Sequence, residues 1–262
     1  MSTSRFVPLA LSLSLASMAS AQVVVRAVHF PDTPGAYTPE MVLADWGSDA
    51  SILDGISQGR ARITTQTNGN GVLRVAYPEG QFGPEPSGIQ FKTFVPPGEE
   101  YYLRYRLKLH TGFDPVRGGK LPGLMGGTAP TGCLSAEESA TGFSSRYMWK
   151  KLGAAILYLY WGDKTVPCGE PYALNVSFTP GVWYVLTQHV KLNTPGFFDG
   201  LVEVWVNDVQ VFQKSDIRFR RAGAGWGITG MYFSTFFGGS DSTWATTTPE
   251  SIYFDDFVIW HP

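Results

Sequence analysis

The sequence predicts an all-β fold, a single-domain β jelly roll built from two packed antiparallel sheets. Two observations carry this expectation. Apolar and polar residues alternate with period two in run after run of the chain, the pattern of half-buried strands. The 30 glycines and 18 prolines fall mostly between those runs, where turns are needed. The bulk numbers agree. A chain of 262 residues with 44% hydrophobic and 14% aromatic content has enough apolar surface for a core, and a β sandwich uses such a length as one domain. No repeat, low-complexity tract or linker interrupts it.

The elements follow in chain order. Arg5 precedes the apolar stretch "FVPLALSLSLASMASA", which ends in a small-x-small site before Gln22. This reads as a secretory signal peptide over residues 1–21. The mature chain, 22–262, is then one jelly-roll domain, secreted and extracellular. No later stretch approaches the ~20 apolar residues of a membrane span, so no membrane partner is expected. "TPEMVLADW" (38–46) is the best helix segment, with Thr38 as its N-cap. In "YYLRYRLKLH", Tyr101, Leu103, Tyr105, Leu107 and Leu109 share one strand face, and Tyr102, Arg104, Arg106, Lys108 and His110 the other. "GGKLPGLMGG" (118–127) reads as a stiff glycine–proline loop around one charge, Lys120. "FSSRYMWKKLGAAILYLYW" reads as a hairpin turning at Leu152-Gly153. "WYVLTQHVKL" is a strand with Tyr184, Leu186, Val190 and Leu192 inward. "LVEVWVNDVQVF" is a hairpin with Asn207-Asp208 as its two-residue turn. "MYFSTFF" and "SIYFDDFVIW" are aromatic and β-branched strands. Trp205 and Trp244 read as packing residues, with an aromatic platform under a sugar as the alternative.

Two cysteines in a secreted chain, Cys133 and Cys168, are expected to pair as a disulfide. On the chain-entropy account such a bridge contributes roughly 3–4 kcal/mol. Asn175-Val-Ser177 is a glycosylation sequon, usable at Asn175 in a eukaryotic host.

The formal net charge of −2 gives no general attraction to polyanions; nucleic acid is not an expected partner, and any anion site must come from a local basic cluster. Hydrolysis of a glycosidic bond needs two flanking carboxylates. Glu203 and Asp208 are separated by a turn, and the adjacent Asp255 and Asp256 are expected on opposite strand faces. There is no G-x-S-x-G elbow, P-loop, dinucleotide fingerprint, C-x-x-C or H-x-x-x-H spacing, so neither a metal nor a cofactor is expected. What remains is a set of cations and phenols. Ser144 and Arg146 share a face of one strand, Tyr158 and Tyr160 a face of the next, and Lys120 sits in the glycine segment. That set suits β-elimination from a uronic acid. Cations beside the sugar carboxylate stabilise the enolate-like charge that forms when the C5 proton leaves. Arginine suits a bidentate grip on carboxylate, and tyrosine or a desolvated lysine can move protons. Gln90 and the basic strand bearing Arg104 are candidate substrate contacts, as is His189, which also reads as a structural histidine.

"GGKLPGL", the S-x-R of Ser144 and Arg146, and the Y-x-Y of Tyr158 and Tyr160 resemble polysaccharide lyase family 14, with the twelve-residue step from Arg146 to Tyr158 in agreement. "YFSTFFGGSDSTWA" and "DGLVEVWVND" are similar to the same family. The resemblance runs from about Gly118 to the C-terminus, and implies a jelly-roll enzyme without metal that cleaves alginate or β-1,4-glucuronan. It implies catalytic roles for Lys120, Ser144, Arg146, Tyr158 and Tyr160. One assignment has a tyrosine as acid and base, Lys120 and Arg146 neutralising the carboxylate, and Ser144 orienting it. The other makes Lys120 the base and a tyrosine the acid. An anionic polysaccharide is the expected partner of a monomer. The alternative is a non-catalytic carbohydrate-binding module or lectin on the same fold.

Overall fold

The structure, a computed structural model, describes residues 22–31 and 33–262; the expected signal peptide, residues 1–21, lies outside them. The described residues form strands β1 (Val23–Val28), β2 (Gly35–Ala36), β3 (Ser51–Asp54), β4 (Ala61–Thr65), β5 (Gly71–Tyr77), β6 (Ile89–Gly98), β7 (Glu100–Leu109), β8 (Gly118–Gly127), β9 (Gly142–Lys150), β10 (Ala154–Tyr160), β11 (Glu170–Ser177), β12 (Trp183–Lys191), β13 (Gly200–Val206), β14 (Val209–Ile217), β15 (Ile228–Phe237) and β16 (Glu250–His261). Two short helices, α1 (Pro39–Trp46) and α2 (Ala136–Ser139), join them.

The strands make two antiparallel sheets. One has nine strands in the order β14-β13-β12-β7-β16-β5-β4-β2, with β1 also paired to β16. The other has seven, in the order β11-β10-β9-β8-β15-β6-β3. The sheets pack face to face as the alternation requires. Tyr101, Leu103, Tyr105, Leu107 and Leu109 of β7 and Tyr184, Leu186 and Val190 of β12 point into one core, with Tyr147 and Trp149 of β9 opposite them. This is the predicted jelly roll.

Local chemistry explains the connections. Thr38 caps α1 by accepting the Met41 amide (3.4 Å), and Trp46 at its end is wholly buried. Asn207 and Asp208 both take positive φ, 51° and 64°, as the tight turn between β13 and β14 demands. The β9–β10 hairpin turns through Lys151–Gly153.

Two expectations are corrected. The segment 118–127 is not a loop but β8, a central strand buried along nearly its whole length. Its glycines make room for neighbours. A Cβ on Gly119 would lie 2.1 Å from the Trp149 ring, and one on Gly123 would lie 1.8 Å from the Ser145 carbonyl oxygen. Pro122 cannot donate to the ladder, and the β8–β9 register shifts there, between Leu121 and Gly123. Just beyond the shift, the amide of Gln188 reaches in from the facing sheet. It accepts from the Leu124 N–H (3.0 Å) and donates to the Ser145 carbonyl (2.9 Å). Secondly, Asp255 and Asp256 do not face opposite ways. A bulge in β16, with Asp256 at φ 53°, turns both carboxylates toward Arg106 and His29 on the nine-stranded sheet.

Candidate active site

The outer face of the seven-stranded sheet carries a cleft of about 820 Å³. Strand register assembles its floor. Arg146 lies opposite Tyr158 and Ser144 opposite Tyr160 in the β9–β10 pair. Lys120 lies beside Met148 on β9 and Phe236 on β15. Ser234 on β15 lies beside Gln90 on β6. The cations Lys120, Arg146 and Lys150 line the cleft, and among the described residues no aspartate or glutamate does.

Lys120 is almost fully buried. Its Nζ sits 2.9 Å from the Met148 sulfur and 3.8 Å from the centre of the Tyr158 ring. Neither replaces the hydration an ammonium loses, and its nearest charges, Arg146 and Lys150, are positive. Desolvation first and those two cations second hold its pKa well below the usual lysine value. The amine therefore gives up its proton more readily than an exposed lysine does.

Arg146 is also buried, between the rings of Tyr160 (5.4 Å) and Tyr232 (5.2 Å). One Nη donates to the Ser234 hydroxyl (3.1 Å), while its Nε has no partner. It thus keeps donors for a ligand. Ser234 and Tyr232 both donate to the Gln90 side-chain oxygen (3.0 Å each), and the Gln90 amide nitrogen is held by Asp54 (3.3 Å), which stands behind it. Tyr158 and Tyr160 meet edge to face at 5.3 Å. Burial, then the Tyr160 phenol, push the Tyr158 hydroxyl above the ordinary tyrosine value, outweighing the pull of Arg146. Tyr158 therefore holds its proton more tightly than a free phenol does.

Cys133 and Cys168 are bonded, with Cα atoms 4.0 Å apart, and both line the cleft. Lys164 braces the same wall by donating to the carbonyls of Leu134 (2.6 Å), Pro167 (2.9 Å) and Val166 (3.1 Å).

The structure therefore brings Lys120, Arg146, Tyr158, Tyr160 and Gln90 together. Ser144 lies on the same strand face but is fully buried, donates to the Pro130 carbonyl (2.7 Å) and does not line the cleft. Arg104 and His189 stand elsewhere, on the outer face of the nine-stranded sheet. Arg104 is paired with Asp208 (2.6 Å), and His189 is clamped between Glu203 (2.8 Å) and Glu100 (2.9 Å). Alternation put them on a polar face, but which of the two outer faces bears the cleft is fixed by topology. Sequence reasoning missed Met148 and Lys150, which simply continue the Ser144, Arg146 alternation along β9. It also missed Tyr232, which shares a face with Ser234. Trp244 is not a packing residue; it lines the cleft from a 3-10 turn, with Lys150 (4.9 Å) and Arg117 (4.7 Å) over its ring, and no periodicity marks it.

A jelly roll with a carboxylate-free cationic cleft floored by tyrosines is the framework of a polysaccharide lyase. The sequence profile of polysaccharide lyase 14 matches residues 65–257, and the chain belongs to that family. Among solved structures, alginate lyase Aly36B superposes with a TM-score of 0.78 at 26% identity, covering 89% of this chain and 95% of that one. A double mutant of Aly36B in complex with an alginate trisaccharide gives 0.79 at 26%, over 90% and 98%. At fold level the family 14 alginate lyase of Aplysia kurodai gives 0.78 at 24% identity, over 92% and 100%. The endo-β-1,4-glucuronan lyase of the fungus Trichoderma reesei gives 0.53 at 10%, over 82% and 92%. No sequence match was found among curated proteins.

Proposed function

We propose that the protein is a secreted lyase that cleaves a 1,4-linked polyuronate, alginate or β-1,4-glucuronan, by β-elimination without a metal. The observation that carries this reading is the cleft lined by three basic side chains, Lys120, Arg146 and Lys150, and, among the described residues, by no carboxylate. It suits an anionic chain and lacks the acid pair of a hydrolase. Its similarity to alginate lyases of about a quarter identity supports the substrate class.

In the proposed reaction, Arg146 and the Gln90 amide bind the uronate carboxylate at the cleavage point. The positive charge of Arg146, with the Gln90 amide as a neutral hydrogen-bond donor beside it, stabilises the electron density that moves toward that carboxylate. Neutral Lys120 takes the C5 proton. The electron pair of that C–H bond becomes the C4–C5 double bond, the C4–O glycosidic bond breaks, and the Tyr158 hydroxyl supplies a proton to the departing oxygen. Lys120 and Tyr158 then hold each other's charge until solvent restores both. The depressed lysine and raised phenol are ready for these roles before substrate arrives. This favours the lysine as base over a tyrosine that does both jobs. Tyr160 braces Tyr158 and Arg146, and Ser144 fixes the wall through Pro130. Export agrees with the disulfide, and Asn175, exposed on edge strand β11, is accessible for a glycan.

Absorbance in the ultraviolet tests the reading. The mature protein is incubated separately with polymannuronate, polyguluronate and β-1,4-glucuronan. Elimination leaves a conjugated unsaturated uronate at each new non-reducing end, so one polymer should give a steady rise. New reducing ends without a rise would mean hydrolysis and sink the proposal.

A further inference from the structure

The outer face of the nine-stranded sheet, opposite the cleft, holds a second ordered set of cations and rings. Register aligns Trp183 with Lys108, Lys108 with Tyr253, Tyr253 with Arg74 and Arg74 with Arg62, across strands β12, β7, β16, β5 and β4. Four inter-strand steps of about 4.8 Å make a row of about 19 Å. The Lys108 ammonium sits between the two rings, 5.0 Å from each centre, and the Arg106 guanidinium covers Trp183 at 4.7 Å. The acids of this face engage cations other than Lys108, Arg74 and Arg62, with Arg106 among them. Asp256 pairs with Arg106 and His29, and Asp208 with Arg104. Among the described residues, none pairs with Lys108, Arg74 or Arg62. Burial against the rings, with Arg106 nearby, pulls Lys108 below its ordinary pKa, a cost that a bound anion relieves. In a chain of net charge −2, such a row is a local exception.

We propose that this row is a second binding site for the polyuronate chain, separate from the cleft, that holds the enzyme on polymer without cleaving it. The inference rests on the polyuronate reading of the cleft. A ring–cation–ring run continued by two arginines matches a linear polymer that offers sugar faces and carboxylates along its length. The row has no buried, unpartnered base and no enclosing wall, so it binds and does not react. Because it lies on the opposite side of the sandwich, its effect is retention: a molecule held here finds its next cleavage point at a raised local concentration of polymer.

The test uses retention of the protein in gels containing the cleaved polymer, in the inactive Lys120→Ala background so that the polymer stays intact. A saturating trisaccharide fills the cleft and is too short to span the row. Adding Lys108→Ala, Arg74→Ala and Arg62→Ala together should weaken retention about tenfold, the sum of three modest exposed ion pairs. The same three changes in the active enzyme should leave kcat/KM on a tetrasaccharide unchanged. Arg62→Glu with Arg74→Glu, which leaves Lys108 between its rings, should weaken retention as well and guards against a folding defect in the triple variant. Unchanged retention, or an equal loss of tetrasaccharide cleavage, overturns the second site. If the active enzyme degrades its polymer while retention does not move, only this inference falls; if it degrades no polyuronate, the reading of the cleft falls with it.

Discussion

Lys120 is an amine placed where its charged form is expensive. Burial and two like charges oppose its proton, and no carboxylate compensates. Its folded-state pKa lies below its unfolded value, so the unfolded chain binds the proton more tightly. Stability therefore rises with pH across the window from the depressed value up to the ordinary lysine value, and is lower below that window. Lys120→Met should melt at a higher temperature than the parent at neutral pH, with the gap closing in strong alkali, while turnover falls by about 10²–10⁴, the usual worth of a proton-transfer group. In the parent, kcat/KM should rise with pH as Lys120 sheds its proton and stay high into alkali, because Tyr158 keeps its own. Tyr158→Phe should lose activity on a similar scale with its fold intact. Near-parental rates in that variant would move the acid role to Tyr160. These roles were half legible in the sequence. The residue types and their spacing suggested the set, but a sequence carries no burial, and burial decides which member gives and which takes a proton.

Strands were legible where alternation was clean. β7, β9, β10, β12 and the turn at Asn207-Asp208 stand where the pattern puts them. β8 was illegible for a physical reason: its glycines answer to the Trp149 ring and the β9 backbone, which are tertiary neighbours. Composition alone resembles a turn. Arg104 and His189 lie away from the cleft because period two sorts residues into faces without saying which sheet carries it. The loops bearing Cys133 and Cys168 form a wall of the cleft, and Lys164 braces it through three carbonyls. Replacing both cysteines by serine should lower stability by about 3–4 kcal/mol on the chain-entropy account. The wall would then hold substrate less firmly, so KM should rise several-fold while kcat moves less. Steady-state kinetics beside a denaturant titration separate the two effects. An unchanged KM would mean that Lys164 alone keeps the wall in shape.

At the scale of the whole molecule, a slightly acidic protein sets clusters of basic side chains on opposite sides of a sandwich. Attraction of a polyanion is then a local field rather than a global one, and salt screens it. Initial rates measured from about 0.01 to about 1 M salt, where the screening length shrinks from ~30 to ~3 Å, should show KM climbing strongly and kcat changing little. A flat KM would argue that shape and hydrogen bonds, not charge, bring the polymer in. Fold class and the two-sheet architecture were readable from alternation and turn residues. The division of labour between the two outer faces was not, since it depends on which strands become neighbours.

The break at Pro122 and the amide of Gln188 belong to different sheets, yet neither makes sense alone. Without the glutamine, the Leu124 N–H and the Ser145 carbonyl would each lose a buried hydrogen bond. Without the proline's break in register, the glutamine would be a polar side chain forced into an apolar core. Either half is a liability, and each is neutralised by the other. The two positions therefore act as one structural unit: a change at either alters what the other has to satisfy. The strand that carries Lys120 past Arg146 is in that sense guarded from the opposite layer, by a residue that never meets the substrate.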